Sequence, residues 1–178
     1  KKNTLLRLAT SAIIAAAYAV LTIVLAPISY GAVQFRVSEA LTVLPFLMPS
    51  TAWGVFIGCV LANLYTGSVL DIVFGSLATL LAGLCTARFG KKGNTVKNRL
   101  LGCLMPVLFN AVIVGAVVTA VFTVEGETVN PFTHLSLYAA TAASVGFGEA
   151  VVLFALGLPL MRWLPRQEFF KKNIAAYI

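Results

Sequence analysis

The sequence predicts an all-α integral membrane protein, and its composition is the first reason. Of its 178 residues, 60% are hydrophobic and 11% are charged, whereas soluble domains carry about 25% charged residues. A spanning helix needs roughly 20 apolar residues, so the chain has room for about six crossings, short loops and no separate soluble domain. Residues 1–178 are therefore expected to form a single membrane domain.

The basic residues predict the orientation of the helices, because short loops rich in lysine and arginine stay on the cytoplasmic side. Twelve of the thirteen basic residues fall into three clusters, within 1–7, 88–99 and 162–172. With all three clusters inside, both termini are cytoplasmic and an even number of crossings separates successive clusters. Anionic lipid is the expected partner of these clusters, and they imply no nucleic acid.

Helix 1 is predicted in the uncharged stretch 8–30 and runs outward from the first basic cluster. The next uncharged stretch, 40–70, is too long for one straight helix. Pro45 and Pro49 interrupt it, and a proline costs a helix interior about 3 kcal/mol or more. Two helices are therefore expected there, and a re-entrant segment, which satisfies the same parity, is the rival.

Helix 4 is expected to end at Gly90, before the second basic loop, and helix 5 begins after that loop. The segment 125–131 contains acids, a glycine and a proline, which favours an external loop before helix 6. The six transmembrane helices are expected at about 7–27, 36–48, 52–66, 71–89, 100–124 and 135–162.

Ionisable side chains at membrane depth are the functional candidates, because each costs about 2.5–3.5 kcal/mol to insert. Glu149 lies near the middle of helix 6 beside two glycines, and a structural hydrogen bond to another helix is its alternative role. Arg36 and Glu39 are three residues apart and can meet on one helix face, so a simple ion pair is equally open. The candidate ligand-binding residues are Gln34, Arg36, Glu39, Asn63, Asp71, Asn110 and Glu149.

Two of these candidates also have structural alternatives: Asp71 can cap the start of helix 4, and Asn110 can form an interhelical hydrogen bond. The three cysteines lie in apolar runs without metal-ligand spacing, so buried side chains are expected, with no metal and no cofactor. The sequence contains no GxxxxGK[ST], HExxH or GxSxG motif. The chain is therefore expected not to be an enzyme.

Helix 1 carries small residues at a spacing of four, in the rows Ala12/Ala16 and Ser11/Ala15/Ala19. Membrane helices pack closely through such faces, because lipid gives them no hydrophobic reason to associate. These rows can pack inside the chain or dock another membrane protein. Both interpretations are open, and docking is the more specific of the two.

The stretch VQFRVSEALTVLPF, residues 33–46, resembles the signature of the QueT family. Members of this family are substrate-binding S-components of energy-coupling factor (ECF) vitamin transporters. The stretches 62–64, 70–75, 110–115 and 146–149 are similar to the family in order and spacing, and the resemblance covers about residues 7–162. The small-residue face of helix 1 resembles the motif by which S-components dock on their partner.

The resemblance implies an S-component-like bundle of six helices, a multi-pass protein of the prokaryotic plasma membrane. It implies capture of a queuosine precursor, a 7-deazaguanine such as the aminomethyl or cyano form. The implied partners are a T-component membrane protein and two ABC-type ATPases, which hydrolyse the ATP. The resemblance also implies that the S-component topples within the bilayer when ATP binds and carries its site inward. The rivals are a self-sufficient channel or proton-coupled transporter that uses Glu149, and a structural subunit without a ligand.

A deazaguanine presents its N1–H and exocyclic NH₂ side by side, and a carboxylate accepts such a pair bidentately. Glu149 or Glu39 is expected to fill that role, and Asp71 is expected to hold an aminomethyl cation. Phe35 or Tyr65 is expected to stack on the ring. Donors and acceptors for the remaining edge are expected from Gln34, Arg36, Asn63 or Asn110.

Overall fold

A computed structural model of the chain describes residues 2–30, 34–121, 123–124, 127–128 and 130–173. These residues form an all-α bundle, apart from a short antiparallel pair, β1 (Thr123–Val124) and β2 (Glu127–Thr128). The α-helices are α1 (Lys2–Val24), α2 (Ala26–Ser29), α3 (Thr51–Thr66), α4 (Ser76–Lys91), α5 (Val96–Phe109), α6 (Gly115–Val121), α7 (Leu135–Val152), α8 (Leu158–Trp163) and α9 (Glu168–Asn173). Tighter 3₁₀ helices cover Val37–Phe46 and Leu164–Arg166, and wider π turns cover Asp71–Gly75, Asn110–Val114 and Leu153–Gly157.

Four stretches of the described chain are long and apolar enough to cross a membrane. Two further apolar helices are shorter: the 10-residue 3₁₀ helix and the 16-residue α3. At about 2.0 and 1.5 Å per residue they are roughly 20 and 24 Å long, against a hydrocarbon core of about 30 Å. The four long stretches are Thr4–Val24, Asp71–Lys91, Val96–Val121 and Leu135–Arg166.

The first predicted helix, at about 7–27, is divided in the structure. α1 begins at Lys2 and ends at Val24, and α2 follows with Pro27 in its first turn. Proline has no N–H, and its ring clashes with the carbonyl group four residues earlier, so α1 does not continue through this position.

The second predicted helix, at about 36–48, is a 3₁₀ helix over Val37–Phe46 rather than an α-helix. Pro45 lies inside it, and a proline removes an N–H donor that an α-helix would use. The helix lies at the centre of the bundle, in contact with α1, α3, α4, α5, α7 and α8. Its apolar residues Val43, Leu44 and Phe46 are buried there. The break predicted at Pro49 separates this helix from α3.

The fifth predicted helix, at about 100–124, begins earlier and ends earlier. α5 begins at Val96, where the hydroxyl of Thr95 accepts a hydrogen bond from the N–H of Asn98, a standard N-terminal cap. The helix ends with α6 at Val121, because Thr123 and Val124 pair with Glu127 and Thr128 as strands. Thr and Val are β-branched residues that favour strands.

The two small-residue rows of α1 face different surroundings. Ala15 and Ala19 are buried, and the Ser11 hydroxyl donates to the carbonyl of Ser50 at 3.1 Å. Ser11 and Ala15 pack against α3 inside the chain, and the docking role of this row stays a prediction. Ala12 and Ala16, in the neighbouring row of the same helix, are exposed.

Close packing of α1 on α3 depends on Gly58. A Cβ atom added there would lie 2.7 Å from both the carbonyl oxygen of Ala15 and the Cβ of Tyr18. Gly58→Ala is therefore expected to lower the free energy of unfolding by about 1–3 kcal/mol, because the helices must move apart. Thermal unfolding in detergent measures the change. Ile57→Ala, which trims an exposed side chain of the same helix, is the control, and equal melting of all three proteins would contradict this packing.

Candidate ligand-binding site

A cavity of about 630 Å³ opens among the ends of several helices, a volume typical of small-molecule sites. Arg36 and Asp71 are the charged residues in its wall. The other lining residues come from the loop after α2, from α3, and from the facing turns of α6 and α7. They are Tyr30, Gln34, Thr66, Val117, Val118, Val121, Ala140, Thr141, Ser144 and Val145.

Arg36 places a guanidinium in the cavity wall although only 5% of the residue is exposed. Its guanidinium carbon lies 5.2 Å from the centre of the Tyr30 ring, in a cation–π contact. Its Nε donates to the carbonyl oxygen of Ser29 at 3.4 Å. The hydrogen bond fixes one edge of the guanidinium of Arg36, and the Tyr30 ring covers one of its faces.

Glu39 lies next to this wall and is buried, with 1% exposure. Its Oε1 accepts a hydrogen bond from the hydroxyl of Tyr18 on α1. Beside them, the hydroxyl oxygens of Thr22 and Ser38 lie 2.6 Å apart. This network ties the 3₁₀ helix to α1.

Glu149 on α7 is also buried. Its Oε1 accepts a hydrogen bond of 2.9 Å from Nδ2 of Asn110, the first residue of the second π turn. The interhelical hydrogen bond that was the structural alternative for both residues is therefore present. Glu149 also lies close enough to interact electrostatically with Glu39 and Arg36, so these four residues form one polar cluster.

Glu39 and Glu149 do not line the cavity, but each follows a lining residue by one turn of its own element. Arg36, the N-cap of the 3₁₀ helix, precedes Glu39 by three residues, and its carbonyl oxygen accepts a hydrogen bond of 2.9 Å from the N–H of Glu39. Val145 lines the cavity and precedes Glu149 by four residues, one turn of α7. The second carboxyl oxygens of Glu39 and Glu149 are both buried without a hydrogen-bond partner.

The side chain of Asn63 contacts the backbone of Asp71 and not its carboxyl group. Nδ2 of Asn63 donates to the carbonyl oxygen of Asp71 at 2.8 Å, which supports the first π turn, and Asn63 does not line the cavity. The hydroxyl of Ser68 accepts from the N–H of Asp71 at 3.3 Å. Ser68, not Asp71, therefore caps this helix, and the Asp71 side chain is left to the cavity wall.

Two tyrosines, Tyr18 and Tyr30, belong to the site although the sequence analysis did not name them as candidates. Tyr18 is fully buried and hydrogen-bonded to Glu39, and Tyr30 lines the cavity. Tyr65, expected to stack on a ligand, is instead 63% exposed. Phe35 contacts Phe147 edge to face, with ring centres 6.4 Å apart. Only the position of Tyr18 inside a run of small residues hinted at an inward role.

A largely apolar cavity walled by membrane helices, with a buried guanidinium beside two buried carboxyl groups, is typical of a membrane protein that binds a small molecule. The chain belongs to the QueT transporter family, whose family model matches residues 8–166.

A relative from Lactococcus lactis subsp. cremoris (strain MG1363), the queuosine precursor transporter QueT, is 40% identical over 83 residues. That alignment covers 46% of this chain and 49% of the relative, so it spans about half the length of the curated relative. No solved structure matches the chain.

Proposed function

We propose that this protein is the substrate-binding S-component of an ECF transporter in the prokaryotic plasma membrane. It captures a queuosine precursor, a 7-deazaguanine derivative, from outside the cell for ATP-driven uptake. Its proposed partners are a T-component membrane protein and two ABC-type ATPases, which hydrolyse the ATP. Membership of the QueT transporter family, and the printed name of the relative, support the substrate class.

The cavity is the observation that supports binding most directly. Its volume of about 630 Å³ accommodates a bicyclic heterocycle. Arg36 and Gln34 supply hydrogen-bond donors for the ligand, and Asp71 supplies a carboxylate for an aminomethyl cation. Asn110 supports the site from behind through Glu149, and Asn63 supports it through the backbone of Asp71.

The proposed topology has six crossings and cytoplasmic termini, with the 3₁₀ helix and α3 as two short crossings. In that orientation the cavity opens outward. Asp71 and Lys91 lie at opposite ends of one helix, and Lys91 belongs to the basic loop that the positive-inside rule keeps in the cytoplasm. A site at the Asp71 end is the arrangement that capture from outside requires.

The exposed row Ala12 and Ala16 on α1 is the proposed docking surface for the T-component. Its side chains are too small to hold a partner helix away. Ser11, Ala15 and Ala19 contribute by a different route, because their contact with α3 fixes the rotation of α1 that turns Ala12 and Ala16 outward.

A proton-coupled transporter is the second candidate, and the buried pair Glu149 and Glu39 is the observation that favours it. Proton carriers in membranes are commonly acidic residues of this kind. Such a protein would move its substrate without an ATPase.

Reconstitution separates the two candidates. The purified chain is placed in liposomes alone, or together with a T-component and two ABC-type ATPases, and labelled 7-deazaguanine derivatives are followed. We expect the chain alone to bind ligand without net transport, and uptake to require the whole complex and ATP. Net uptake by the chain alone, driven by a proton gradient, would support the second candidate. Absence of binding to every 7-deazaguanine tested would reject the proposed substrate.

A further inference from the structure

The carboxyl pair formed by Glu39 and Glu149 has two oxygens that nothing in the described residues satisfies. In each side chain Oε1 accepts a hydrogen bond, from Tyr18 in one case and from Asn110 in the other. In each side chain Oε2 is buried without a partner. Buried polar atoms seldom lack a hydrogen-bond partner. We therefore expect each Oε2 atom either to carry a proton or to bind a ligand atom.

The charges of the cluster do not balance if both carboxyl groups are ionised. Arg36 is the cation that faces the pair, and the other groups that interact with it, Tyr18, Cys59 and Asn110, are hydrogen-bonding groups without positive charge. Two neighbouring carboxylates in a medium of low dielectric repel each other strongly. One proton on the pair makes the buried charge neutral.

The contacts indicate which carboxyl group carries that proton. Glu39 follows Arg36 by one 3₁₀ turn and accepts the Tyr18 hydroxyl, and these two contacts make it the better placed of the two to carry the negative charge. Glu149 lies beside Glu39, and the side chain that donates to it, Asn110, is a neutral amide. Its Oε1 receives the Asn110 amide as a carbonyl oxygen does, which leaves Oε2 as the position for a hydroxyl proton.

We propose that Glu149 is a neutral carboxylic acid and Glu39 its ionised partner, and that together they recognise the cyclic amide edge of the ligand. The Glu149 O–H donates to the ring carbonyl, and Glu39 Oε2 accepts the adjacent ring N–H. No proton is gained or lost, because the acid keeps its proton as it forms the hydrogen bond. This pairing rests on the proposed function, and it requires the side chains of the cavity floor to part as the ligand enters.

Infrared spectroscopy tests the protonation state without any ligand. The carbonyl stretch of a carboxylic acid is separate from carboxylate and amide bands. We expect such a band at neutral pH in the full-length protein, shifted by isotope-labelled glutamate and absent from Glu149→Gln. If Glu149→Gln does not fold, the labelled wild-type spectrum decides alone. A wild-type spectrum without a protonated glutamate band would overturn the proposal.

Binding tests the roles of the two carboxyl groups. A glutamine at position 149 retains a donor but not the acid O–H, so Glu149→Gln is expected to weaken binding of a 7-deazaguanine only about tenfold. Glu39→Gln replaces a charged acceptor by an amide and is expected to weaken binding about 100-fold, as expected when a buried polar partner is mispaired. Equal losses in two folded variants would overturn the assignment. If wild type shows the infrared band but binds no 7-deazaguanine, the protonation assignment stands and the proposed function fails.

Discussion

Uptake is expected to fall to background when Ala12 or Ala16 is replaced by tryptophan, while ligand binding is retained. Both alanines are exposed on α1, so a large side chain is accommodated in lipid without disturbing the fold. The same side chain prevents close approach of a T-component helix, and close packing is what holds membrane helices together. Uptake by the reconstituted complex and co-purification with the T-component measure the effect, and calorimetry measures retained binding.

Two matched variants separate docking from folding. Ala15→Trp places the same side chain on the buried row and is expected to disrupt the contact of α1 with α3, so folding itself is lost. Leu77→Trp places it on an exposed part of α4 and is expected to leave uptake unchanged. Normal uptake by both Ala12→Trp and Ala16→Trp would show that the partner docks elsewhere.

Arg36→Met is expected to lower the free energy of unfolding by about 3–5 kcal/mol, because removal of one partner leaves a buried charge uncompensated. Glu39 and Glu149 both interact with this guanidinium, and the residue has almost no exposure to water. Thermal unfolding in detergent measures the loss. Ligand binding is expected to disappear as well, since Arg36 lines the cavity.

A second substitution shows whether the loss comes from the charge. In the Glu39→Gln background the uncompensated carboxylate is gone, so Arg36→Met is expected to destabilise the protein much less. A double-mutant cycle gives the coupling energy directly. Arg36→Lys, which keeps the charge but loses the planar contact with Tyr30, is expected to lie between wild type and Arg36→Met. Equal losses in both backgrounds would mean that Arg36 acts through packing alone.

Much of the fold follows from hydropathy and proline, because these act locally. The break between the 3₁₀ helix and α3 follows from Pro45 and Pro49, and the long helix over Asp71–Lys91 follows from an uncharged run that ends in basic residues. The type of the central helix did not follow, since an α-helix and a 3₁₀ helix differ by one residue of hydrogen-bond spacing. The π turns were missed for the same reason.

The candidate site was predictable as a set of residues but not as an arrangement. The free-energy cost of placing an ionisable side chain in the membrane identifies Arg36, Glu39 and Glu149 as candidate functional residues. The structure brings these three together with Asn110. Nothing in the sequence tells whether a side chain lines the cavity or lies behind its wall, because that depends on helix rotation. Asn63 shows the difference, since its amide is committed to a backbone carbonyl.

The π turns have a consequence for how this bundle tolerates changes in chain length. Each contains one residue more than an α-helical turn requires; two lie inside long helices and the third begins one. A π turn absorbs its extra residue locally, so the α-helices on either side keep their relative rotation. Deleting one residue from Asn110–Val114 is therefore expected to restore an α-helix while Val117 and Val121 still line the cavity. The change stays within the turn from which Asn110 donates to Glu149, so a single-residue change of length is a way to adjust one polar contact without rebuilding the ligand-facing half of the protein.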